Sequence, residues 1–297
     1  MKRLVTIIIL VISNICFSQL KSVIIDNKTK EKIPYVNIWV ENETIGTTSN
    51  EKGEFELKID SPKIILFSAL GFETKRILSD SIKQVIELKP QTTKLDEIII
   101  SSKKQNKSLT IGKFKKSKIN HYFAFGKNPW IAARFFEYQA IYESTPYLSK
   151  IRILTKSKVK GSKFNIRLYD INEKGEPDNY IFHKNIIGTA NKGKRITEID
   201  ISELNIKFPK NGFFIAFECL IIEDNKYEFN YTIKDSKEKQ KGIRYDPKIG
   251  LIPRDENKNS WIFNQGKWRK VLKNNNYSSK RYNNKYNQIA IELTLKN

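Results

Sequence analysis

Residues 33–74 read IPYVNIWVENETIGTTSNEKGEFELKIDSPKIILFSALGFET. Val36, Ile38 and Val40 alternate with Tyr35, Asn37, Trp39 and Glu41. That period of two sets one face of a strand against a core. Pro34 stands at the start of the run, where a missing N–H costs least. Ile45–Thr48 reads as a short strand, and Ser49-Asn50-Glu51-Lys52-Gly53 supplies the Asn and Gly that a tight turn with positive φ needs. The alternation resumes at Glu54–Ile59, so the two segments are expected to form a hairpin. Lys63–Ala69, KIILFSA, is nearly continuous in apolar residues, the pattern of a central strand covered on both faces, and Leu70-Gly71-Phe72 ends it with a turn. Together these segments predict a small antiparallel sandwich.

The order of these elements, I-P-Y-V-N-I, then I-G-T-T-S-N-E-K-G-E-F, then I-I-L-F-S-A-L-G-F-E-T, resembles the carboxypeptidase regulatory-like domain. The resemblance covers roughly residues 20–89. It implies a seven-stranded, transthyretin-like Greek-key β-sandwich of the kind common in envelope proteins of Bacteroidetes. Leu95-Asp96-Glu97-Ile98-Ile99-Ile100 is similar to the segment that follows this domain in outer-membrane receptors of the TonB-dependent type. Neither a receptor nor a peptidase follows from it. A receptor barrel takes many amphipathic strands, and a metallocarboxypeptidase takes a zinc-binding His-x-x-Glu with a distant His. Neither His121 nor His183 is followed by Glu at the third position.

Lys2 and Arg3, the apolar run Leu4–Ile12 and the small or polar residues Ser13, Asn14 and Ser18 have the layout of a secretory signal peptide over residues 1–18. The apolar part is too short to favour a membrane span. A lipoprotein leader with Cys16 lipidated is the competing reading, against which Ile15 occupies a position that needs a small residue. Export to the periplasm or the outer membrane is expected, and cleavage near Ser18 or Gln19 leaves Cys219 as the remaining cysteine, without an internal disulfide. The formal charge of +22 invites a nucleic-acid reading. Export, the scattering of the lysines and the lack of a recognised nucleic-acid-binding motif argue against that reading. Anionic headgroups or lipopolysaccharide are the alternative electrostatic partners. Residues 101–118, SSKKQNKSLTIGKFKKSK, hold seven lysines and no acid. Residues 101–120 are therefore read as a basic linker between a regulatory-like sandwich at 19–100 and a second domain at 121–297, with Lys103, Lys104, Lys115 and Lys116 available to an anionic membrane surface.

From His121 onward, ten candidate strands divided by turn residues span 131–138, 147–155, 164–171, 180–187, 195–201, 212–222, 227–233, 261–263, 267–272 and 288–295, with no sustained helical period. That spacing predicts a jelly-roll-like sandwich, so the chain is expected to be all-β. The section Phe164–Asp170, Gly175-Glu176-Pro177, Ile199–Ser202 and Phe208-Pro209 before Gly212-Phe213-Phe214 is also similar to a jelly-roll module of uncharacterised Bacteroidetes envelope proteins.

The second domain offers little catalytic equipment. Asp170-Ile171-Asn172-Glu173-Lys174-Gly175 opens like a calcium loop, but Lys174 and Ile181 occupy ligand positions, which favours a polar turn. Two histidines and a cysteine at these spacings predict no metal site and no cofactor. Cys219 lies in an apolar run and reads as a buried small hydrophobe. Glu218, Glu223 and Asp224 are the carboxylates a hydrolase could use. Trp261 and Trp268 flank the turn signal Asn264-Gln265-Gly266, with Tyr277, Tyr282 and Tyr286 beyond. Exposed, Trp261, Trp268 and Tyr277 would make a platform for a sugar or a peptide; buried, they would be core. The function expected is a non-enzymatic envelope protein binding a glycan, a peptide or a partner protein. The alternatives are a glycan or peptide hydrolase, and an accessory subunit of an outer-membrane receptor or secretion complex.

Overall fold

The computed structural model describes residues 18–91, 107–126, 128–233, 238–256, 260–275 and 279–297. The expected leader up to residue 17, the segment Leu95–Ile100, Lys103, Lys104 and Tyr277 therefore lie outside the described residues. The chain divides into two compact units, Met1–Pro90 and Gln91–Asn297, and among the described residues no helix is long and apolar enough to cross a membrane.

The first unit has strands β1 (Ser18–Asp26), β2 (Asn37–Val40), β3 (Gly46–Thr48), β4 (Glu54–Ile59), β5 (Ile64–Ser68), β6 (Lys75–Leu78) and β7 (Val85–Leu88). They form a three-stranded sheet, β4-β1-β7, and a four-stranded sheet, β3-β2-β5-β6. Alternate residues of both sheets meet in one core built on Ile24, Val36, Ile38, Ile65, Phe67 and Leu88. Each such buried side chain contributes about 1.5–3 kcal/mol. Phe55 and Phe67 close it edge to face across the two sheets, with centroids 5.7 Å apart.

Two expectations are corrected here. Ile45–Thr48 and Glu54–Ile59 are not hairpin partners: β3 pairs with β2, whereas β4 pairs with β1 in the other sheet. The turn at 49–53 is a crossover between sheets, with Gly53 at φ +70° against the Ile24 carbonyl. Nor is KIILFSA covered on both faces. Ile65 and Phe67 are buried while Ile64 is 39% exposed, because one face of a two-layer sandwich meets solvent.

The second unit begins with β8 (Ser108–Ile111), β9 (Tyr122–Phe125), β10 (Ile131–Phe136), β11 (Tyr147–Ser157), β12 (Ser162–Ile171), β13 (Pro177–Tyr180), β14 (Ile186–Ala190) and β15 (Gly193–Asp200). It continues with β16 (Phe213–Cys219), β17 (Lys226–Thr232), β18 (Lys239–Arg254), β19 (Ser260–Asn264), β20 (Lys267–Lys270), β21 (Tyr286–Ile289) and β22 (Ile291–Lys296). One sheet of seven strands runs β13-β12-β16-β10-β19-β20, with β14 also on β12. The other, of eight strands, runs β17-β18-β11-β22-β8, with β15 on β11 and β9 and β21 on β18. Phe164, Ile166, Leu168, Phe213, Ile215 and Phe217 of the first sheet pack against Ile151, Ile153, Leu251, Ile291, Leu293 and Leu295 of the second in a single core. The chain is thus all-β, a transthyretin-like sandwich followed by a jelly-roll-like one.

The segment read as a basic linker is partly structural. Leu109, Thr110 and Ile111 pair with Leu295, Thr294 and Leu293, which places β8 at the edge of the eight-stranded sheet. Immediately after it, Gly112 at φ +72° accepts a hydrogen bond at its carbonyl from buried Arg134, which also donates to the Ile291 carbonyl at 2.6 Å. Burial drives the Arg134 guanidinium down to about 10, Arg254 adds in the same direction and Glu292 opposes. A Cβ at Gly112 would sit 2.9 Å from the Ile291 oxygen and 3.0 Å from the Phe136 ring. Gly112→Ala is expected to lower the stability of this unit by about 1–3 kcal/mol. Gly126→Ala, where an added Cβ meets nothing within 4 Å, leaves it unchanged; urea unfolding of the two variants checks the contrast.

Candidate functional site

The seven-stranded sheet is covered on its outer face as well. On β12, Phe164, Ile166 and Leu168 enter the main core, so Asn165, Arg167 and Tyr169 stand on the opposite face. On β16 the same alternation sets Phe214, Ala216 and Glu218 outward, in register with those three as Tyr169↔Phe214, Arg167↔Ala216 and Asn165↔Glu218. Ile131, Ala133, Tyr169, Phe214, Ala216 and Trp261 form a second apolar cluster there, flanked by half-buried Phe135, Tyr180, Phe263 and Trp268.

Gln265 (φ 51°) and Gly266 (φ 76°) both take the left-handed conformation, as a two-residue turn between twisted strands requires. The β19–β20 hairpin that results pairs Trp261 with Lys270 and Phe263 with Trp268, so both tryptophans share one face. Trp261 is 9% exposed and belongs to the cluster's interior. Trp268 forms its rim, with its ring edge to face at 5.3 Å on both Tyr169 and Phe263. Tyr282, also noted in the sequence, is elsewhere: it is fully buried in the main core, with its hydroxyl donating to the Leu251 carbonyl.

Beside the aromatic residues lies a feature that sequence reasoning missed. Arg167 and Glu218, each with a side chain 1% exposed, form a two-pronged ion pair, Nε to Oε2 at 2.6 Å and Nη2 to Oε1 at 2.9 Å. Asn165 donates to Glu218 at 3.1 Å, and Arg167 Nη1 donates to the Tyr180 hydroxyl at 3.2 Å. Burial alone would push the Arg167 pKa down, but the Glu218 carboxylate, reinforced by Tyr180 and Tyr169, more than reverses this and raises it. Burial, then Tyr180, pushes the Tyr169 hydroxyl well above its ordinary value. His183 stands edge-on to Tyr180 with its buried Nδ1 unpartnered, and burial lowers its pKa. The signal available in the sequence was the alternation itself: Arg167 in F-N-I-R-L-Y and Glu218 in F-I-A-F-E-C interrupt otherwise buried strands on the same period.

The other candidates are also placed. Glu223 lies on an exposed 3₁₀ turn and accepts from Lys226 at 3.0 Å, while Glu218 is held by Arg167; the two carboxylates serve different neighbours. Asn172 Oδ1 accepts from the Lys174 and Glu176 backbone amides and Asp170 from that of Asn179, so these loop oxygens serve a polar turn. Cys219 is fully buried, and burial, then Asp246 and Glu218, pushes its thiol well above the ordinary range. Among the described residues no three His, Cys, Asp or Glu side chains are grouped to hold a metal ion. Lys115 is exposed and Lys116 half-buried at the start of a short 3₁₀ turn.

Removing one member of the buried pair strands the other charge. Glu218→Gln is expected to cost about 3–5 kcal/mol. Glu223→Gln, at an exposed pair, costs under about 1 kcal/mol; thermal and urea melts of the two variants read the difference.

Residues 20–100 match the CarboxypepD_reg-like domain model. No curated protein sequence matches the chain. Among solved structures, the cysteine protease and lectin-like domains of Cwp84, a surface-layer-associated protein of Clostridium difficile, align over 85% of this chain and 45% of theirs, at 12% identity and a TM-score of 0.37. The clostridial Cwp84 protease after propeptide cleavage aligns over 89% of this chain and 65% of its own, at 12% identity and a TM-score of 0.40. The chain therefore spans less than two thirds of either, and likeness at these scores assigns it no chemistry. The family match coincides with the seven-stranded sandwich, and the first unit of this chain is a carboxypeptidase regulatory-like domain.

Proposed function

We propose that the chain is a non-enzymatic binding protein of the cell envelope, which holds a glycan, a peptide or a partner protein on the outer face of its second sandwich. One observation carries this reading. The aromatic cluster on that face ends in a rim of half-buried rings, Trp268 and Phe263, while the charged groups beneath it are already satisfied by one another. Flat apolar rings with polar neighbours are what stacking on a sugar ring or a peptide plane uses. The hydrolase reading needs a carboxylate free to exchange a proton with substrate. Glu218, the most enclosed carboxylate near these rings, is instead committed to Arg167 and Asn165.

The leader-like residues 1–18 support export, and the regulatory-like domain fits an envelope setting. The second unit is then the part that recognises a ligand. The test is a screen of the purified chain against immobilised envelope polysaccharides and peptides. Trp268→Ala is expected to weaken the best binder by about tenfold or more, the loss of roughly 1.4 kcal/mol. Turnover of any of these ligands that disappears in Glu223→Gln would overturn the reading.

A further inference from the structure

The outer face of the eight-stranded sheet carries its charges in rows set by strand register. Lys150 and Arg152 of β11 face Asp200 and Glu198 of β15, and Arg152 also faces Glu292 of β22. Salt bridges run from Lys150 to Glu198 at 2.7 Å and from Arg152 to Glu198 and Glu292. The next outward residue, Leu154, lies opposite Ile196 and packs with Ile119 and Ala290 in a small apolar patch. The row after that breaks the pattern. Lys156 of β11 is directly opposite Lys194 of β15 on one side and Lys248 of β18 on the other. Among the described residues no ion pair joins any of the three to a carboxylate. Lys194 donates to the Ile119 carbonyl, and Lys156 Nζ lies 5.1 Å over the Tyr122 ring. Like charges directly opposite on neighbouring strands are destabilising, and two balanced rows precede this one on the same face.

The groups around the row add to its sign. Burial, then Arg244, lowers the Lys248 pKa, with Lys156 and Lys158 acting the same way and Asp246 opposing. Asp246 is itself fully buried and accepts from the Lys158 amide and from Arg244 Nε, so its charge is already used. Burial, then Lys116 and Lys156, lowers the Lys194 pKa.

Next to this row, along β17, a stripe of rings faces the same side as Arg244. Tyr227, Phe229 and Tyr231 stand opposite Arg244, Gly242 and Gln240. The distal atoms of the Phe229 ring would all lie 2.6–3.1 Å from a Cβ at Gly242, so the ring lies flat on that glycine. Tyr227 is tilted only 13° from it, with centroids 6.1 Å apart, and Tyr231 follows at another 6.1 Å. Arg244 packs on the first two rings at 4.4 and 5.3 Å.

We propose that this surface, the row Lys194–Lys156–Lys248 with Arg244 and the Tyr227–Phe229–Tyr231 stripe, binds an extended anionic polysaccharide. The lysines receive its carboxylates or other acidic substituents, and the rings receive the C–H faces of successive sugars. Three features favour this occupant. The surplus of positive charge calls for an anion. Tyr227 and Phe229 are side by side and nearly parallel, which suits the edge-to-edge rings of a glycan ribbon better than bases that stack face on face. Phe229 lies down on the sheet, whereas insertion into a bilayer needs apolar groups that project. This surface is separate from the Trp268 face, and either can fail without the other.

The test titrates the full chain with polygalacturonate, a neutral dextran of matched length, oligothymidylate and anionic phospholipid vesicles. Polygalacturonate is expected to bind tightest, with affinity that falls as salt rises. The double variant Lys156→Gln/Lys248→Gln is expected to weaken it at least tenfold, and Phe229→Ala about tenfold. Lys239→Gln/Lys241→Gln removes the same charge from the other face of the β17–β18 hairpin and is expected to change affinity less than threefold. Lys156→Gln should also raise the melting temperature at low salt, because it relieves repulsion, and this confirms that the variant folds. Equal binding of dextran, unchanged affinity in the Lys156→Gln/Lys248→Gln variant, or tighter binding of oligothymidylate or vesicles through the same residues would each overturn the proposal.

Discussion

A buried ion pair sets the terms for the second unit. Arg167 and Glu218 stand on β12 and β16, adjacent inner strands of the seven-stranded sheet, on the face turned away from the main core, and neither reaches solvent. Two charges can be held there only if every strong donor and acceptor finds a partner, since an isolated buried ion costs several kcal/mol. Asn165 and Tyr180 supply those partners, and Asn165 is held in turn by Asn185 and by the Ile186 amide. The connection between β13 and β14 is thereby tied down over the sheet. The aromatic cluster continues on the same face from Tyr169 and Ala216 to Trp261 and Trp268.

The same sheet explains why the second unit has two surfaces of different character. Where the seven-stranded sheet turns outward, an apolar ring cluster covers it beside the enclosed Arg167–Glu218 pair, and its rim is the half-buried rings of Phe263 and Trp268. Where the eight-stranded sheet turns outward, polar residues alternate with core residues, and each row across the strands must settle its own electrostatics. Rows 150 and 152 do so with Glu198 and Glu292. Row 156 does not, and the energetic penalty of three lysines in register is sustained by the surrounding fold, as strain at a binding surface commonly is.

Much of this fold could be read in the chain. The alternation at Asn37–Val40 and Glu54–Ile59, the Asn-Gln-Gly turn before Trp268 and the strand-rich spacing after residue 121 all act through local geometry, which a sequence displays. Pairings that depend on distant partners were less visible. The Ser49–Gly53 turn has hairpin composition but serves a crossover, because β1 and β2 each offer an open edge to a different neighbour. Strand β18 was missed although it is 16 residues long: Gly242, Pro247 and Gly250, with its many charges, look like loop, and β17, β11, β9 and β21 hold it by pairing along its length. The segment Tyr180–Ile187, read as one strand, is two strand ends around a turn. Ser108–Ile111 was masked by the lysines around it, and it becomes a strand because β22 would otherwise leave Leu293 and Leu295 beside an unpaired edge.

The site divides along the same line. Trp261 and Trp268 were legible because a turn signal places them on one hairpin. The Arg167–Glu218 pair and the lysine row were not, because each joins residues on strands whose adjacency is a property of topology. Arg167 and Glu218 are 51 positions apart, and Lys156 meets Lys194 and Lys248 only once β15, β11 and β18 lie side by side. A single basic residue in a strand says little; three in register across strands define a surface. The charge of the whole chain, +22, therefore carries less information than its arrangement on one sheet face, where balanced and unbalanced rows stand next to each other. The regulatory-like domain bears on this only indirectly: its match ends at residue 100, while recognition has to be argued from the rows and rings of the sandwich that follows it.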